Sequence, residues 1–265
     1  MKKFIALFVA FVLAILAAPS ASAISVRGDA ASPRSAVAVV HAGGAVEASR
    51  NGWEPRPALS LSKLYLGYWV LYHGAPQHRA LVGEMVRTSN DGIASTLDAA
   101  YPQAIDAIAR DFKLSATQRR GNWGVASTSA VDVARFVQAI RHDPVAAPLL
   151  RGMAHAAPVA ADGFPQNYGT SRLPGVQGTK FGWADDRRSS TATVSYGNGF
   201  AVAVLTYGDA HANTVDAQRA VDTSLLPGLS GGRRVVDLLP PQTPPEIKSV
   251  IPKHWEVPAG SSVPW

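Results

Sequence analysis

Ser60-Leu61-Ser62-Lys63 places a hydroxyl and an amine three residues apart at the start of a strongly apolar segment. On a helix these positions share a face, so Ser60 and Lys63 lie one turn apart, with Ser60 near the helix N-terminus. A serine hydroxyl is a weak nucleophile until a base accepts its proton, and a desolvated lysine within hydrogen-bond reach can be that base. The N–H groups of the helix N-terminus can help to hold an oxyanion. The chemistry implied is acyl transfer through Ser60. The same spacing also describes an N-cap followed by a solvated lysine, so the reading depends on what accompanies it. Thr88-Ser89-Asn90-Asp91-Gly92 adds hydroxyls, an amide and a carboxylate between two helical stretches, and Lys180-Phe181-Gly182-Trp183 adds a second amine at the start of a β region.

The elements that must position these groups follow from apolar periodicity. Leu61, Leu64, Tyr65, Tyr68, Leu71 and Tyr72 recur at helical spacing, predicting a buried helix from Ser60 to His73 that Gly74 and Pro76 close. Further helices are predicted from Gln77 to about Thr88, from Gly92 through Ala109, and after an N-cap in Ser127-Thr128-Ser129. Ala36–Val40 and Ala45–Ala48, joined by Gly43-Gly44, read as a β-hairpin. Thr191–Tyr196 and Phe200–Tyr207, joined by Gly197-Asn198-Gly199, read as another. Hairpins at both ends with helices between them predict one antiparallel sheet assembled from both halves of the chain, with a helical lobe inserted.

The order S-x-x-K, S-D-N-like, K-T-G-like resembles the penicillin-recognising serine hydrolases, that is, class A β-lactamases and D-Ala-D-Ala carboxypeptidases or transpeptidases. Arg56-Pro57-Ala58-Leu59, the run from Thr128 to Phe136 and the run from Lys180 to Ser190 are similar to their counterparts there, and the resemblance covers roughly Ala36 to Gly208. It implies an α/β fold of the α+β type, an antiparallel sheet of N- and C-terminal strands plus a helical subdomain. It also implies Ser60 as acylated nucleophile, Lys63 as base or proton relay, Ser89 as donor to the leaving nitrogen and Lys180 as the positive charge behind that hydroxyl. Asp91, Asn90, Gly182 and Trp183 would line the substrate, with the N–H groups of Ser60 and Trp183 forming the oxyanion hole.

Departures from the pattern bear on activity. With Ser89 in the place of the family serine, the substrate-contacting amide becomes Asp91, which accepts but cannot donate and can ion-pair with Lys63. Sliding by one residue puts Thr88 at the hydroxyl and Asn90 at the amide. Both registers are open from sequence, with Ser89 preferred. Phe181 replaces a hydroxyl residue that helps bind the substrate carboxylate, leaving Arg187 or Arg188 as substitutes. No glutamate occurs between Glu84 and Glu246, so the water-activating glutamate of class A β-lactamases has no counterpart, and Asp98, Asp106 and Asp111 read as helix-surface charges. Efficient β-lactamase activity is disfavoured. The short interval from Ser60 to Ser89 implies a trimmed cleft wall.

The remaining composition removes other classes. The 265 residues, 47% hydrophobic and 17% charged, describe a globular chain, and the absence of cysteine removes thiol nucleophiles, disulfides and zinc-thiolate sites. The seven histidines have no metal-type spacing and the glycine-rich pieces lack nucleotide-binding context, so no metal or cofactor is expected. Lys2-Lys3, an apolar run from Phe4 and Ala21-Ser22-Ala23 have the order of a secretory signal peptide, with cleavage expected after Ala23. Cleavage lowers the net charge of +6 by two, which weakens any nucleic-acid reading, and leaves no transmembrane segment. The expected organisation is a signal peptide over 1–23, a hydrolase domain over 24–235 and a Pro-rich tail over 236–265. The expected function is an exported, monomeric serine acyl-enzyme hydrolase of the cell envelope, acting on peptidoglycan peptide or a related amide or ester. The alternative is a catalytically inactive member of the fold that binds peptidoglycan or a protein.

Overall fold

A computed structural model describes residues 24–224 and, beyond them, the backbone of two short strands, Arg233–Arg234 and Glu256–Val257, which pair antiparallel. The leader over 1–23 and nearly all of the tail over 236–265 lie outside the described residues. Ile24–Thr223 forms one compact unit. Its ends are tied by β1 (Ser25–Val26) and β9 (Val221–Asp222), paired antiparallel.

The two predicted hairpins form and merge into one sheet. β2 (Ser35–His41) and β3 (Val46–Ala48) make the first, β7 (Thr191–Gly197) and β8 (Phe200–Thr206) the second, and β6 (Val176–Trp183) completes the antiparallel order β3-β2-β8-β7-β6. The central pair β2–β8 runs in unbroken register from Ser35 opposite Thr206 to His41 opposite Phe200, so residues more than 150 apart in sequence form the middle of the sheet. Both strands are buried along their whole length. That explains their continuous rather than alternating apolar pattern: Ala36, Ala38, Val40, Ala201, Ala203 and Leu205 belong to the core shared with the helical lobe, and the alternate residues lie on the opposite face.

The helical lobe departs from the predicted boundaries in ways that bear on the site. The first helix is preceded by a single 3-10 turn, Leu59–Leu61, and α1 then runs Ser62–His73. Leu61, Leu64, Tyr65, Leu66, Tyr68, Val70 and Leu71 are all buried, as befits a helix enclosed by its neighbours. The helix predicted over Gln77 to Thr88 divides into α2 (Pro76–Arg79) and α3 (Val82–Arg87). The helix predicted over Gly92 to Ala109 divides into α4 (Asp91–Ala100) and α5 (Ala104–Asp111). Pro102 causes the second break, because it removes an N–H and drives Tyr101 out of helical geometry, to φ −136° and ψ 61°. β4 (Arg56–Pro57) pairs with β5 (Ser127–Thr128). α6 (Ala130–Ile140) starts as predicted, with the Ser129 side chain accepting from Asp132 N–H. α7 (Ala147–Ala154) packs on α3, and α8 (Ala210–Ala220) lies on the sheet. No helix among the described residues is long and apolar enough to cross a membrane.

One correction concerns charge. Asp98 is buried, not a surface residue, and accepts two bonds from the Arg119 guanidinium at 2.8 and 2.7 Å. Asp106 accepts from Arg119 N–H at 2.8 Å, while Asp111 pairs loosely with Arg110 at 3.5 Å. Arg119 thus ties the 112–128 connector to α4 and α5. Removing one member of a buried pair leaves an uncompensated charge. Arg119→Ala should cost about 3 kcal/mol by urea unfolding, with the double variant Asp98→Ala, Arg119→Ala recovering part of the loss. A cost under about 0.5 kcal/mol would mean that the pair does not hold the connector.

Candidate active site

Ser60 sits in the 3-10 turn ahead of α1. Leu59, just before it, holds a left-handed φ of 52°, a conformation disfavoured for a branched side chain, and Ala58 N–H bonding to Ala126 O anchors the turn. One turn on, Lys63 Nζ donates to Ser60 Oγ at 2.6 Å. The same nitrogen donates to Asp91 Oδ1 at 2.7 Å. Asp91 is the first residue of α4, and its side chain is 60% exposed.

A second lysine–serine pair stands beside the first. Ser89, buried and with φ 54°, lies in the three-residue link between α3 and α4. Lys180, on β6, donates from Nζ to Ser89 Oγ at 2.6 Å and to Phe181 O at 2.9 Å. Thr88 turns its hydroxyl back to Glu84 O at 2.9 Å, on its own helix. Of the two registers, the structure therefore brings Ser89 to Lys180. Asn90 Oδ1 accepts from Ile93 N–H at 2.9 Å and caps α4, so that oxygen is committed to the fold.

Gly182 and Trp183 meet the nucleophile through the backbone. A Cβ on Gly182 would come within 2.9 Å of both Ser60 N and Leu59 Cβ, so only glycine lets the strand approach Ser60 this closely. β6 is an edge strand. Ala184 N–H bonds to Ser190 O, which makes the adjacent Trp183–Thr191 pair a non-hydrogen-bonded one and turns Trp183 N–H off the free edge. Tyr168 OH, donating to Gly182 O at 2.8 Å, holds this stretch from behind.

Phe181 is buried against Tyr168, with ring centroids 5.2 Å apart, and contributes its carbonyl rather than its side chain to the site. Arg187, one of the two arginines considered for anion binding, is committed elsewhere: its guanidinium donates to Asp162 O at 2.9 Å and lies 3.9 Å from that carboxylate. Arg188 is exposed.

Two site residues went unrecognised in the sequence. The Trp123 ring faces Lys63, with Nζ 3.9 Å from its centroid, and its indole N–H reaches Ser95 Oγ at 3.1 Å. Asn122, capping Gly124 N–H, is the local signal that fixes this tight turn. Asp162 accepts from Trp183 Nε1 at 2.9 Å and bears electrostatically on both lysines. A loop aspartate 21 positions from its partner carries no periodic signature.

Burial sets the electrostatics. Desolvation brings Lys63 down to about 8, against the opposing pull of Asp91 and the hydrogen bond between them. Lys180 is held well below the usual lysine range, first by burial and then by the positive charge of Lys63. The arrangement can therefore supply a nucleophilic hydroxyl, a lysine that is neutral in a useful fraction near neutral pH, a second hydroxyl backed by a second amine, and two N–H groups flanking the nucleophile. Among the described residues no cluster of three His, Asp or Glu side chains could hold a metal ion.

The same architecture occurs in solved structures. A β-lactamase from Burkholderia vietnamiensis aligns with a TM-score of 0.55 at 18% identity, over 71% of this chain and 88% of that one. An ancestral class A β-lactamase aligns with a TM-score of 0.54 at 19% identity, over 69% and 90%. Penicillin-binding protein D2 from Listeria monocytogenes, in its cefotaxime-bound form, aligns with a TM-score of 0.51 at 18% identity, over 71% and 94%. No protein-family model and no curated protein matches the chain.

Because the carboxylate stabilises the ammonium and burial opposes it, the Lys63 amine should titrate near pH 8, and Asp91→Asn should lower that midpoint. Side-chain 15N NMR of both proteins checks the direction. A midpoint that stays at 10.5 in the wild type, or rises in the variant, contradicts this account.

Proposed function

Sharing the fold of class A β-lactamases and penicillin-binding proteins, this chain is, we propose, an exported serine acyl-enzyme hydrolase of the cell envelope, acting on a cell-wall peptide or a related amide or ester. The observation that carries the reading is the 2.6 Å bond from Lys63 Nζ to Ser60 Oγ, with the Lys180–Ser89 pair of the same length beside it.

In the proposed reaction neutral Lys63 takes the Ser60 proton as Oγ attacks the carbonyl carbon, and the oxyanion is held by the N–H groups of Ser60 and Trp183. With Lys63 near 8, about a tenth of the population is neutral at pH 7. Collapse of the tetrahedral intermediate breaks the bond to the leaving nitrogen, which takes a proton from Ser89. Lys180 orients that hydroxyl and offsets the negative charge that builds on it. The proton held by Lys63 returns through Ser89, and water then cleaves the acyl-enzyme. Gly182 keeps the strand edge close to Ser60 and Asn90 caps the helix that presents Asp91. The leader over 1–23, the 24–235 domain, the tail and a monomeric state belong to this proposal.

Deacylation is the slow half in this reading. An indole, not a carboxylate, lies over Lys63, and Asp91 already bonds to its amine. A long-lived acyl-enzyme follows, in keeping with penicillin binding more than with rapid β-lactam turnover. The Lys63–Asp91 ion pair favours one other reading, a non-catalytic member of the fold that binds peptidoglycan or a protein in the same cleft.

Fluorescent penicillin or a fluorophosphonate should label wild type and leave Ser60→Ala unlabelled. The labelling rate should climb with pH and level off above about 8, because a depressed lysine gains its basic form as pH passes through its pKa. Ser89→Ala should slow labelling by about 100-fold or more without abolishing it. No labelling by either reagent, or equal labelling of Ser60→Ala, would leave only the binding reading.

A further inference from the structure

The charges at the cleft mouth point to a class of acyl donor, an inference that rests on the serine hydrolase reading. Both cations of the site are buried and already bonded: Lys63 to Ser60 and Asp91, Lys180 to Ser89 and Phe181 O. The nearby guanidinium of Arg187, half exposed, donates to Asp162 O and lies 3.9 Å from the Asp162 carboxylate. The solvent-facing charged side chains in direct contact with Lys63 and Trp183 are acidic. The Asp91 side chain is 60% exposed and that of Asp162 is 38% exposed. A substrate carboxylate beside Ser60 meets lysines that are buried and already bonded, whereas an ammonium there meets the exposed carboxylate of Asp91.

Geometry narrows the position of that ammonium. Asp91 Oδ1 and Ser60 Oγ share the donor Lys63 Nζ at 2.7 and 2.6 Å, so they lie at most about 5 Å apart. Asp91 Oδ1 is occupied and Oδ2 has no hydrogen bond from a described residue. That spacing lets an ammonium bonded to Oδ2 sit one or two bonds from a carbonyl carbon in attack range of Ser60. We propose that Asp91 is a specificity-determining residue that selects acyl donors bearing a free amine next to the scissile carbonyl, as in an unblocked aminoacyl amide or ester. Docking also assists the chemistry. A second positive charge on Asp91 competes with Lys63 for the carboxylate and repels its ammonium, which favours the neutral lysine needed to take the Ser60 proton.

The test compares alanine p-nitroanilide, in both enantiomers, with its N-acetyl derivative, on the full chain. Acetylation removes the charge and leaves the scissile bond. In the wild type kcat/KM should favour the free amine by at least about tenfold in one enantiomer. In Asp91→Asn, which keeps shape and loses charge, that ratio should fall to near unity; the amide sets the baseline for the intrinsic reactivity of the two anilides, the ratio cancels any change in Lys63 basicity common to both, and far-UV circular dichroism reports that the variant is folded. Equal rates in the wild type, or a ratio unmoved by Asp91→Asn, would overturn the assignment while leaving Ser60 acylation intact. Turnover of neither anilide, together with no probe labelling of Ser60, would remove the hydrolase reading and this inference with it.

Discussion

Two lysine amines buried side by side are the constraint on which the site turns. Removing an ammonium from water is costly unless its hydrogen-bonding capacity is met. Here each amine is given a serine hydroxyl at 2.6 Å and one further oxygen, Asp91 Oδ1 for Lys63 and Phe181 O for Lys180. The shortage of charged partners is what makes the pair useful. A lysine fully compensated by carboxylates would stay protonated, and one with no partner would be too unstable to bury. With a bonded carboxylate on Lys63 and only a carbonyl on Lys180, burial leaves Lys63 poised and Lys180 well depressed.

Holding that arrangement requires three elements to converge with little tolerance. The 3-10 turn carries Ser60, the link between α3 and α4 carries Ser89, and the edge of the sheet carries Lys180 and Gly182. Leu59 and Ser89 both adopt left-handed backbone without being glycine, and the strain is absorbed at the two serine-bearing turns. The surrounding structure fixes them. Ala58 N–H bonds to Ala126 O, and Ala161 N–H bonds to Thr88 O, so a loop clamps each turn. The Asp98–Arg119 pair ties α4 to the connector that brings Trp123 over Lys63.

The cleft mouth has its own logic. Phe181 joins an apolar cluster with Phe164 and Tyr168, Phe164 stacks on Trp183 at 4.6 Å, and Asp162 bonds to the indole of Trp183 and to Arg187. These contacts set aromatic rings and the Asp162–Arg187 pair beside two lysine amines that are buried. In the proposed reaction that separation orients a charged substrate at the entrance and keeps the reacting groups dry.

Local pattern was enough to find the two hairpins, the buried helix and the four residues Ser60, Lys63, Ser89 and Lys180 as candidates, because alternation, helical spacing and motif order all lie within short stretches. It was not enough to choose between Thr88 and Ser89, since both carry hydroxyls and only the approach of β6 decides which one meets an amine 91 positions away. Nor could it show Asp98 as buried, Trp123 as the face over Lys63 or Asp162 as part of the rim. Each of these depends on a partner from a distant segment, and an isolated aspartate or tryptophan looks the same in sequence whether it faces water or a buried charge. Residue types and their order in the chain determined which chemistry was available. Burial, which alone sets the basicity of the two lysines, came from packing across the whole unit, and that belongs to the tertiary structure.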